Sequence, residues 1–239
     1  MSYVVLRAGH TRYAALCLAL LLLSLPALAQ KKAPARMPAG MPVDAKARRQ
    51  PDLVELITLD PTIKLDIRYA TSNNFVGRPV YTEARAFLQR PAAEALLRAH
   101  RALRKQGYGL LIFDGYRPWS VTKLFWEVTP ASKKKFVAEP SKGSRHNRGC
   151  AVDLSMYDLK TGLEVEMPGA YDEMTERSHP NYKGGTDAQR RARDVLRAAM
   201  EAEGYTVFDV EWWHFDYRDW REYPILNLSF NQLGPARKP

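Results

Sequence analysis

The stretch Ser144-Arg145-His146-Asn147-Arg148-Gly149-Cys150-Ala151-Val152-Asp153 runs from a polar loop into a predicted strand. In such a strand Asp153 shares one face of the sheet with Ala151 and Ser155. Cys150 points to the other face. We therefore predict that Cys150 is a small buried side chain, which makes it a poor candidate for a metal ligand.

A second stretch, Glu211-Trp212-Trp213-His214, directly follows a strand predicted over residues 205–210. Glu211 and His214 are three residues apart, so a regular strand would place their side chains on opposite faces of the sheet. A bulge or a turn at Trp212 and Trp213 would bring both side chains to one site. A site shared by Glu211 and His214 therefore requires such an irregularity.

The two stretches together supply two imidazoles and two carboxylates, from His146, His214, Asp153 and Glu211. This set suits an open catalytic zinc site, which has three protein ligands and a fourth position for water. His146 lies in a polar loop, where packing in a core offers no explanation for it. For His214 the residues alone leave a second interpretation open, a histidine hydrogen-bonded within an aromatic core.

The rest of the chain predicts strands and helices without a regular alternation. Predicted strands cover residues 54–59, 65–69 and 110–113, and predicted helices cover residues 91–106, 121–128 and 187–203, the last with a capping box of Thr186 and Gln189. His100, on the apolar face of the first long helix, and His179, in a loop, are predicted to have structural roles. The pattern favours a single α+β domain with a largely antiparallel central sheet, flanking helices and a zinc site at the strand ends.

The N-terminus has the features of a secretory signal peptide over residues 1–29. Arg7 and Arg12 precede an apolar run of 13 residues, and Ala27 and Ala29 have the spacing that signal peptidase accepts. The run is shorter than the roughly 20 residues that a membrane-spanning helix needs. The sequence therefore predicts a secreted, periplasmic protein with no stable membrane insertion after the signal peptide is cleaved.

Charge and cysteine content narrow the possible functions. Residues 30–50 are rich in Ala, Pro, Lys and Arg and predict a basic disordered linker, which leaves residues 51–239 as the catalytic domain. The whole chain has 36 Lys and Arg against 26 Asp and Glu, but residues 51–239 have 28 against 25. So small an excess argues against a nucleic-acid-binding face. Cys17 is lost with the signal peptide, so the mature chain can form no intramolecular disulfide.

The pattern S-x-H-x-x-G-x-A-x-D, followed much later by E-x-W-H, resembles that of the zinc D-alanyl-D-alanine dipeptidases. These enzymes are relatives of the D,D-carboxypeptidases and of the vancomycin-resistance dipeptidase. The resemblance also takes in residues 66–71, 73–77 and 114–118, and so extends over about residues 53–230. In this sequence the pattern is formed by Ser144, His146, Gly149, Ala151, Asp153, Glu211, Trp213 and His214.

The resemblance implies one Zn2+ per chain, bound by His146, Asp153 and His214. It implies that Glu211 is the general base, which takes a proton from zinc-bound water and later passes it to the leaving amine. Arg117 would stabilise the oxyanion of the tetrahedral intermediate. The other implied residues bind the substrate, with Asp172 facing its ammonium group and Ser144 and Tyr69 lining the dipeptide pocket.

The implied activity is hydrolysis of a small dipeptide, D-alanyl-D-alanine, to two D-alanines. A buried carboxylate opposite the ammonium group would reject longer peptides and acylated amines. A periplasmic enzyme cannot readily deplete a cytosolic dipeptide, so salvage of wall-derived dipeptide is favoured over glycopeptide resistance. Two alternatives stay open: a D,D- or L,D-carboxypeptidase acting on peptidoglycan stem peptides, and a non-catalytic wall-peptide-binding module. Glu211 argues against the second, because a structural zinc needs no base.

Overall fold

The computed structural model describes residues 1–3, 37–45 and 47–234. The chain divides into two units, Met1–Arg36 and Met37–Pro239, and every element described below belongs to the second. Most of the predicted signal peptide and the first part of the predicted linker, residues 4–36, lie outside the described residues. None of the described helices is long and apolar enough to cross a membrane.

Within its described residues, the second unit contains short strands and four α-helices. The strands are β1 (Leu53–Glu55), β2 (Lys64–Leu65), β3 (Phe87–Gln89), β4 (Tyr108–Asp114), β5 (Ala151–Asp158), β6 (Tyr205–Phe208) and β7 (Glu211–Tyr217). The helices are α1 (Leu56–Leu59), α2 (Arg90–Arg104), α3 (Trp119–Val128) and α4 (Asp187–Glu201).

A five-stranded sheet in the order β2-β4-β5-β7-β6 forms the centre of the unit, and β1 pairs with β3 separately. Strands β2 and β4 are parallel, whereas β4–β5, β5–β7, β6–β7 and β1–β3 are antiparallel. The predicted α+β class with a largely antiparallel sheet is therefore confirmed. The central strand β5 is buried from Ala151 to Tyr157, as expected for a strand covered on both faces.

Helix α2 covers the sheet with one buried face and contacts β4 and α4. It begins at Arg90 after the N-cap residue Gln89, Pro91 lies in its first turn, and its apolar residues recur at helical spacing. His100 lies on this face and is fully buried. Its Nδ1 accepts a hydrogen bond from the Leu110 N–H (3.1 Å), and its Nε2 lies 2.9 Å from Thr62 Oγ1. These bonds agree with the structural role predicted for His100.

The predicted capping box of helix α4 is confirmed. The Gln189 N–H donates to Thr186 Oγ1 (3.2 Å), and the Thr186 N–H donates to Gln189 Oε1 (2.9 Å). The helix ends at Glu201, two residues before the predicted end. The chain then reverses at Gly204, whose φ of +85° is a conformation that glycine adopts without strain.

Two predicted strands, residues 54–59 and 65–69, are wrong in their extent. The first becomes helix α1 after Glu55, and the Asp60 N–H donates to the Leu56 carbonyl (3.2 Å) at the end of that helix. The second stops at Leu65, and Arg68–Ala70 forms a 3-10 turn instead. The tertiary context of these two segments overrides the preference of branched and aromatic residues for strands.

The strand predicted over residues 205–210 is also shorter than expected. Strand β6 ends at Phe208, and a turn at residues 209–210 reverses the chain into β7. The two residues after Phe208 therefore form the turn of a β6–β7 hairpin rather than the end of a strand, and Glu211 is the first residue of β7.

The described part of the predicted linker contacts residues of the predicted catalytic domain. The backbone N–H groups of Arg48 and Arg49 both donate to the Glu222 carbonyl (2.9 Å each). Asp44 forms an ion pair with Arg148, whose side chain is 8% exposed. The second half of residues 30–50 therefore has defined partners on the domain.

We expect His100→Ala to lower the free energy of unfolding by about 1–3 kcal/mol, because the buried Leu110 N–H would lose its acceptor. Burial also lowers the pKa of His100 from its ordinary value of 6.5. As the pH falls, the unfolded chain takes up this proton first, so the histidine's contribution is present at neutral pH and lost in acid. Urea denaturation at several pH values, with equal zinc in every sample, measures both effects.

His179→Ala provides the matched control, because His179 is only partly buried. Its effect should stay within about 0.5 kcal/mol. Equal stability of the two variants would contradict the role assigned to His100.

Candidate metal centre and active site

The β5–β7 ladder places two of the predicted ligands side by side. Asp153 pairs with His214 in the antiparallel register, so the two side chains project from neighbouring strands on one face. His146 comes from the short 3-10 helix His146–Arg148, which leads into β5. Gly149 ends that helix with a φ of +66°, which turns the chain into the strand.

The three potential ligand atoms lie close together and are mutually spaced for a single ion. His214 Nδ1 is 3.0 Å from Asp153 Oδ1, His146 Nε2 is 3.3 Å from the same oxygen, and the two nitrogens are 3.1 Å apart. Ligands about 2.0–2.1 Å from a tetrahedral zinc are separated by roughly 3.3 Å. All three residues are buried and together could hold a metal ion. The donor set and its spacing therefore fit zinc.

Each of the two imidazoles is oriented by a partner of the ring nitrogen that faces away from the potential metal ligands. His146 Nδ1 lies 2.7 Å from the Gly115 carbonyl, which can only accept, so Nδ1 carries the proton and Nε2 is free to bind. His214 Nε2 lies 2.9 Å from Asp216 Oδ1, which leaves Nδ1 facing the cluster. A carboxylate behind a ligand histidine fixes its tautomer and raises its basicity.

The charged groups of the site shift one another's pKa values. Burial lowers the pKa of His214, but Asp216 and Asp153 outweigh it and raise the pKa to about 10. Burial raises the pKa of Asp153, but the two imidazoles lower it far below its ordinary value. Asp153 therefore stays a carboxylate, and its Oδ2 accepts a hydrogen bond from the Tyr171 hydroxyl (3.1 Å). A metal ion and a proton compete for the nitrogen of His214.

The irregularity predicted at Trp212 and Trp213 is confirmed. Val207 pairs with Phe215, whereas the next residue of β6, Phe208, pairs with Glu211. Trp212, Trp213 and His214 lie between these two pairs with no residue opposite them on β6. As a result Glu211 Oε2 is 3.9 Å from His214 Nδ1. Burial raises the pKa of Glu211 to about 8, although His214 partly opposes the shift.

Arg117 brings a buried cation to the same place. Its Nε and Nη2 are 2.9 and 2.7 Å from Asp114 Oδ2, and Nη2 is 3.6 Å from Asp153 Oδ2. Asp114 Oδ1 in turn accepts hydrogen bonds from the Tyr81 hydroxyl (2.8 Å) and the Gly115 N–H (2.9 Å). Asp114 therefore fixes the guanidinium beside the potential metal ligands.

Asp172 and Tyr69 form a hydrogen-bonded pair that lines the same site. The Tyr69 hydroxyl donates to Asp172 Oδ2 (3.0 Å). Burial raises the pKa of Asp172 to about 7, and Asp153 adds to the shift. The backbone of Asp172 has a φ of +60° and that of Met174 a φ of +48°, which is uncommon for non-glycine residues and strained.

A cavity of about 110 Å3 joins these groups, and all eight predicted site residues line it. They are Tyr69, Arg117, Ser144, His146, Asp153, Asp172, Glu211 and His214. Cys150 is fully buried in the hydrophobic core, as predicted, and is not part of the potential metal cluster.

Three supporting residues were missed from the sequence: Asp114, Tyr171 and Asp216. Asp216 carried a usable signal, because it lies two residues from His214 and therefore on the same face of a regular strand. Asp114 carried another, because it shares a predicted turn with Arg117. Tyr171 had no local signal, since it reaches Asp153 from a loop 18 residues away in sequence.

Three potential metal ligands, the carboxylate of Glu211 and the buried Arg117 line one cavity, and these are the kinds of group that a metallopeptidase uses. The chain belongs to the peptidase M15 family of D-ala-D-ala dipeptidases, whose sequence profile matches residues 49–231. The protein is therefore a peptidase and a hydrolase.

Several relatives carry the name D-alanyl-D-alanine dipeptidase. The chain is 33% identical over 180 residues to that of Escherichia coli (strain K12), covering 75% of this chain and 92% of the other. It is 37% identical over 186 residues to that of Enterococcus faecium and 36% identical over 186 residues to that of Enterococcus faecalis (strain ATCC 700802 / V583). Each alignment covers 70% of this chain and 92% of the relative.

We expect Asp216→Asn to weaken zinc binding by about 10- to 100-fold, because the amide no longer supports the His214 imidazole as a carboxylate does. Competition with a chromophoric chelator measures the dissociation constant directly. Asp194→Asn, which removes a mostly exposed carboxylate from helix α4, is the matched control. Wild-type zinc affinity in Asp216→Asn would contradict the role assigned to Asp216.

Proposed function

We propose that this dipeptidase uses zinc, held by His146, Asp153 and His214, to hydrolyse D-alanyl-D-alanine to two D-alanines. The observation that carries the proposal is the cluster of three ligand atoms 3.0–3.3 Å apart with Glu211 beside it. A zinc ion in this position would lower the pKa of a bound water and polarise the peptide carbonyl.

Glu211 is the proton carrier in this proposal. Its carboxylate takes the proton of the attacking water and passes it to the nitrogen of the leaving D-alanine. Burial raises the pKa of Glu211 to about 8, and a zinc ion beside it would lower that pKa again, so that the carboxylate is ionised and can accept the proton. The β7 bulge supports the role, since it puts Glu211 on the side of the potential metal ligands.

Arg117 stabilises the negative charge that develops on the carbonyl oxygen. The guanidinium is already oriented by Asp114 and lies over the rings of Phe125 (4.8 Å) and Tyr69 (5.3 Å), so little reorganisation is needed during the reaction. A fixed cation facing developing charge in a water-poor pocket is worth roughly 3–4 kcal/mol of transition-state stabilisation.

Asp172 and Tyr69 recognise the free ammonium group of the substrate. An acylated or extended amine would leave the Asp172 carboxylate unpaired in a low-dielectric pocket, which costs binding free energy. This requirement favours a dipeptidase over a D,D- or L,D-carboxypeptidase. Ser144 lines the same cavity and accepts a hydrogen bond from the His146 N–H through Oγ (3.2 Å).

We further propose that the enzyme is secreted to the periplasm and salvages wall-derived dipeptide. The signal-peptide features of residues 1–29 support export. An exported enzyme meets dipeptide released from the wall rather than the cytosolic pool used in wall synthesis.

A substrate panel tests the activity. Purified enzyme should release D-alanine from D-Ala-D-Ala and lose this activity in EDTA, while L-Ala-L-Ala and N-acetyl-D-Ala-D-Ala should be poor substrates. Faster cleavage of the N-acetylated peptide would favour the carboxypeptidase alternative. Binding of wall peptides without any turnover would favour the non-catalytic module.

Glu211→Gln should retain zinc but lower kcat on D-Ala-D-Ala by about 100- to 10,000-fold, because the amide cannot accept the water proton. Metal analysis of the purified variant separates loss of the base from loss of the ion. Glu203→Gln, which changes a carboxylate paired with Arg98 away from the cavity, is the control. If Glu211→Gln turns over at the wild-type rate, Glu211 is not the base.

A further inference from the structure

Arg145 lies between two site residues, Ser144 and His146, at a position that the S-x-H motif leaves free. Its side chain lines the catalytic cavity and also an adjoining groove of about 440 Å3. Ser144 lines both pockets as well. Asp172 lines the catalytic cavity but not the groove, so the groove adjoins the part of the cavity that Ser144 and Arg145 form.

The guanidinium of Arg145 is anchored on one side. Its Nε lies 3.3 Å from Asp216 Oδ2 and its carbon lies 4.8 Å from the centroid of the Trp220 ring. The Nε atom is buried, yet the side chain as a whole is 39% exposed. Among the residues that the structure describes, no hydrogen bond or ion pair involves either Nη atom. The N–H groups of both Nη atoms are therefore available to a ligand.

The other cations that line the groove have protein partners. Lys142 Nζ lies 2.7 Å from Glu139 Oε2, and this pair is exposed to solvent. The remaining partners are the Trp126 carbonyl for Lys134 and the Asp44 carboxylate for Arg148. Arg145 therefore differs from the other cations of the groove. Its Nη donors are free, its orientation is fixed by Asp216 and Trp220, and its side chain also lines the catalytic cavity.

We propose that Arg145 forms a subsite for a carboxylate on the leaving half of the substrate. The inference rests on the proposed function, in which Asp172 holds the ammonium group and the second residue extends towards Ser144 and Arg145. A planar guanidinium whose two Nη atoms are free binds a carboxylate through paired, charge-assisted hydrogen bonds. The carboxylate is either the α-carboxylate of the second residue or, through the groove, an acidic side chain on that residue.

Four dipeptides distinguish the two sources. D-Ala-D-Ala and its C-terminal amide differ in the α-carboxylate, and D-Ala-D-Glu and D-Ala-D-Gln differ in the side-chain carboxylate. For wild type and Arg145→Gln, kcat/KM is measured for each, and a dipeptide that is not cleaved is measured as a competitive inhibitor of D-Ala-D-Ala hydrolysis. For the dipeptide that carries the bound carboxylate, the substitution should lower kcat/KM, or weaken competitive inhibition, by about 10- to 100-fold. For the partner that lacks this carboxylate the change should be less than about twofold.

Two control variants separate recognition from indirect effects. Arg145 touches Asp216, so the zinc affinity of Arg145→Gln is measured alongside, and a loss confined to the subsite leaves that affinity at the wild-type value. Lys142→Gln removes a paired groove cation and should leave the discrimination unchanged.

The outcomes are distinct. A selective loss on D-Ala-D-Ala over its amide assigns the subsite to the α-carboxylate, and a selective loss on D-Ala-D-Glu over D-Ala-D-Gln assigns it to a side chain. Equal losses within both pairs, D-Ala-D-Ala against its amide and D-Ala-D-Glu against D-Ala-D-Gln, would overturn the subsite alone. No cleavage of D-Ala-D-Ala by the wild-type enzyme would overturn the proposed function, and the subsite with it.

Discussion

The register between β5 and β7 is the constraint on which the whole site depends. It sets Asp153 opposite His214, and the same ladder sets Val152 opposite Phe215 on the other face. Val152 and Phe215 are both fully buried, so their packing holds the register in place. A slip of one residue would turn the apolar pair towards the cavity and His214 into the core, which is why the core specifies the site.

Carboxyl groups are crowded in the assembled site. Five of them lie in or beside it, together with the cations of Arg117 and Arg145 and the imidazole of His214. Burial raises the pKa of Glu211 and Asp172, which shows the cost of crowding these groups in a low-dielectric pocket. A divalent ion at the ligands and an ammonium group at Asp172 both relieve that cost, so metal and substrate binding should support each other. The five carboxylates are those of Asp114, Asp153, Asp172, Glu211 and Asp216.

The parts of the fold that could be predicted from the sequence are those with local signals. The capping box of Thr186 and Gln189 defines the start of α4 from a pattern of four residues, and the three-residue spacing of Glu211 and His214 required the bulge that is found. Strand lengths could not be predicted, because branched residues favour a strand over residues 54–59, whereas in the fold Leu56–Leu59 forms helix α1. Family resemblance supplied the eight residues that line the cavity, whereas the groups that orient them come from contacts that depend on the fold.

The turn after β4 shows how closely these orienting contacts are linked. Gly115 donates its N–H to Asp114 and offers its carbonyl to His146, so one residue positions both the arginine's carboxylate partner and a potential metal ligand. A Cβ at this position would lie 2.8 Å from the Phe87 carbonyl oxygen, closer than side-chain carbons approach. Any larger residue would have to move the turn away from β3, and both Asp114 and the carbonyl that holds His146 would move with it. The backbone of the turn at residues 114–118 therefore links the position of the Arg117 guanidinium to that of His146, one of the potential metal ligands. A change that moves one of them also moves the other.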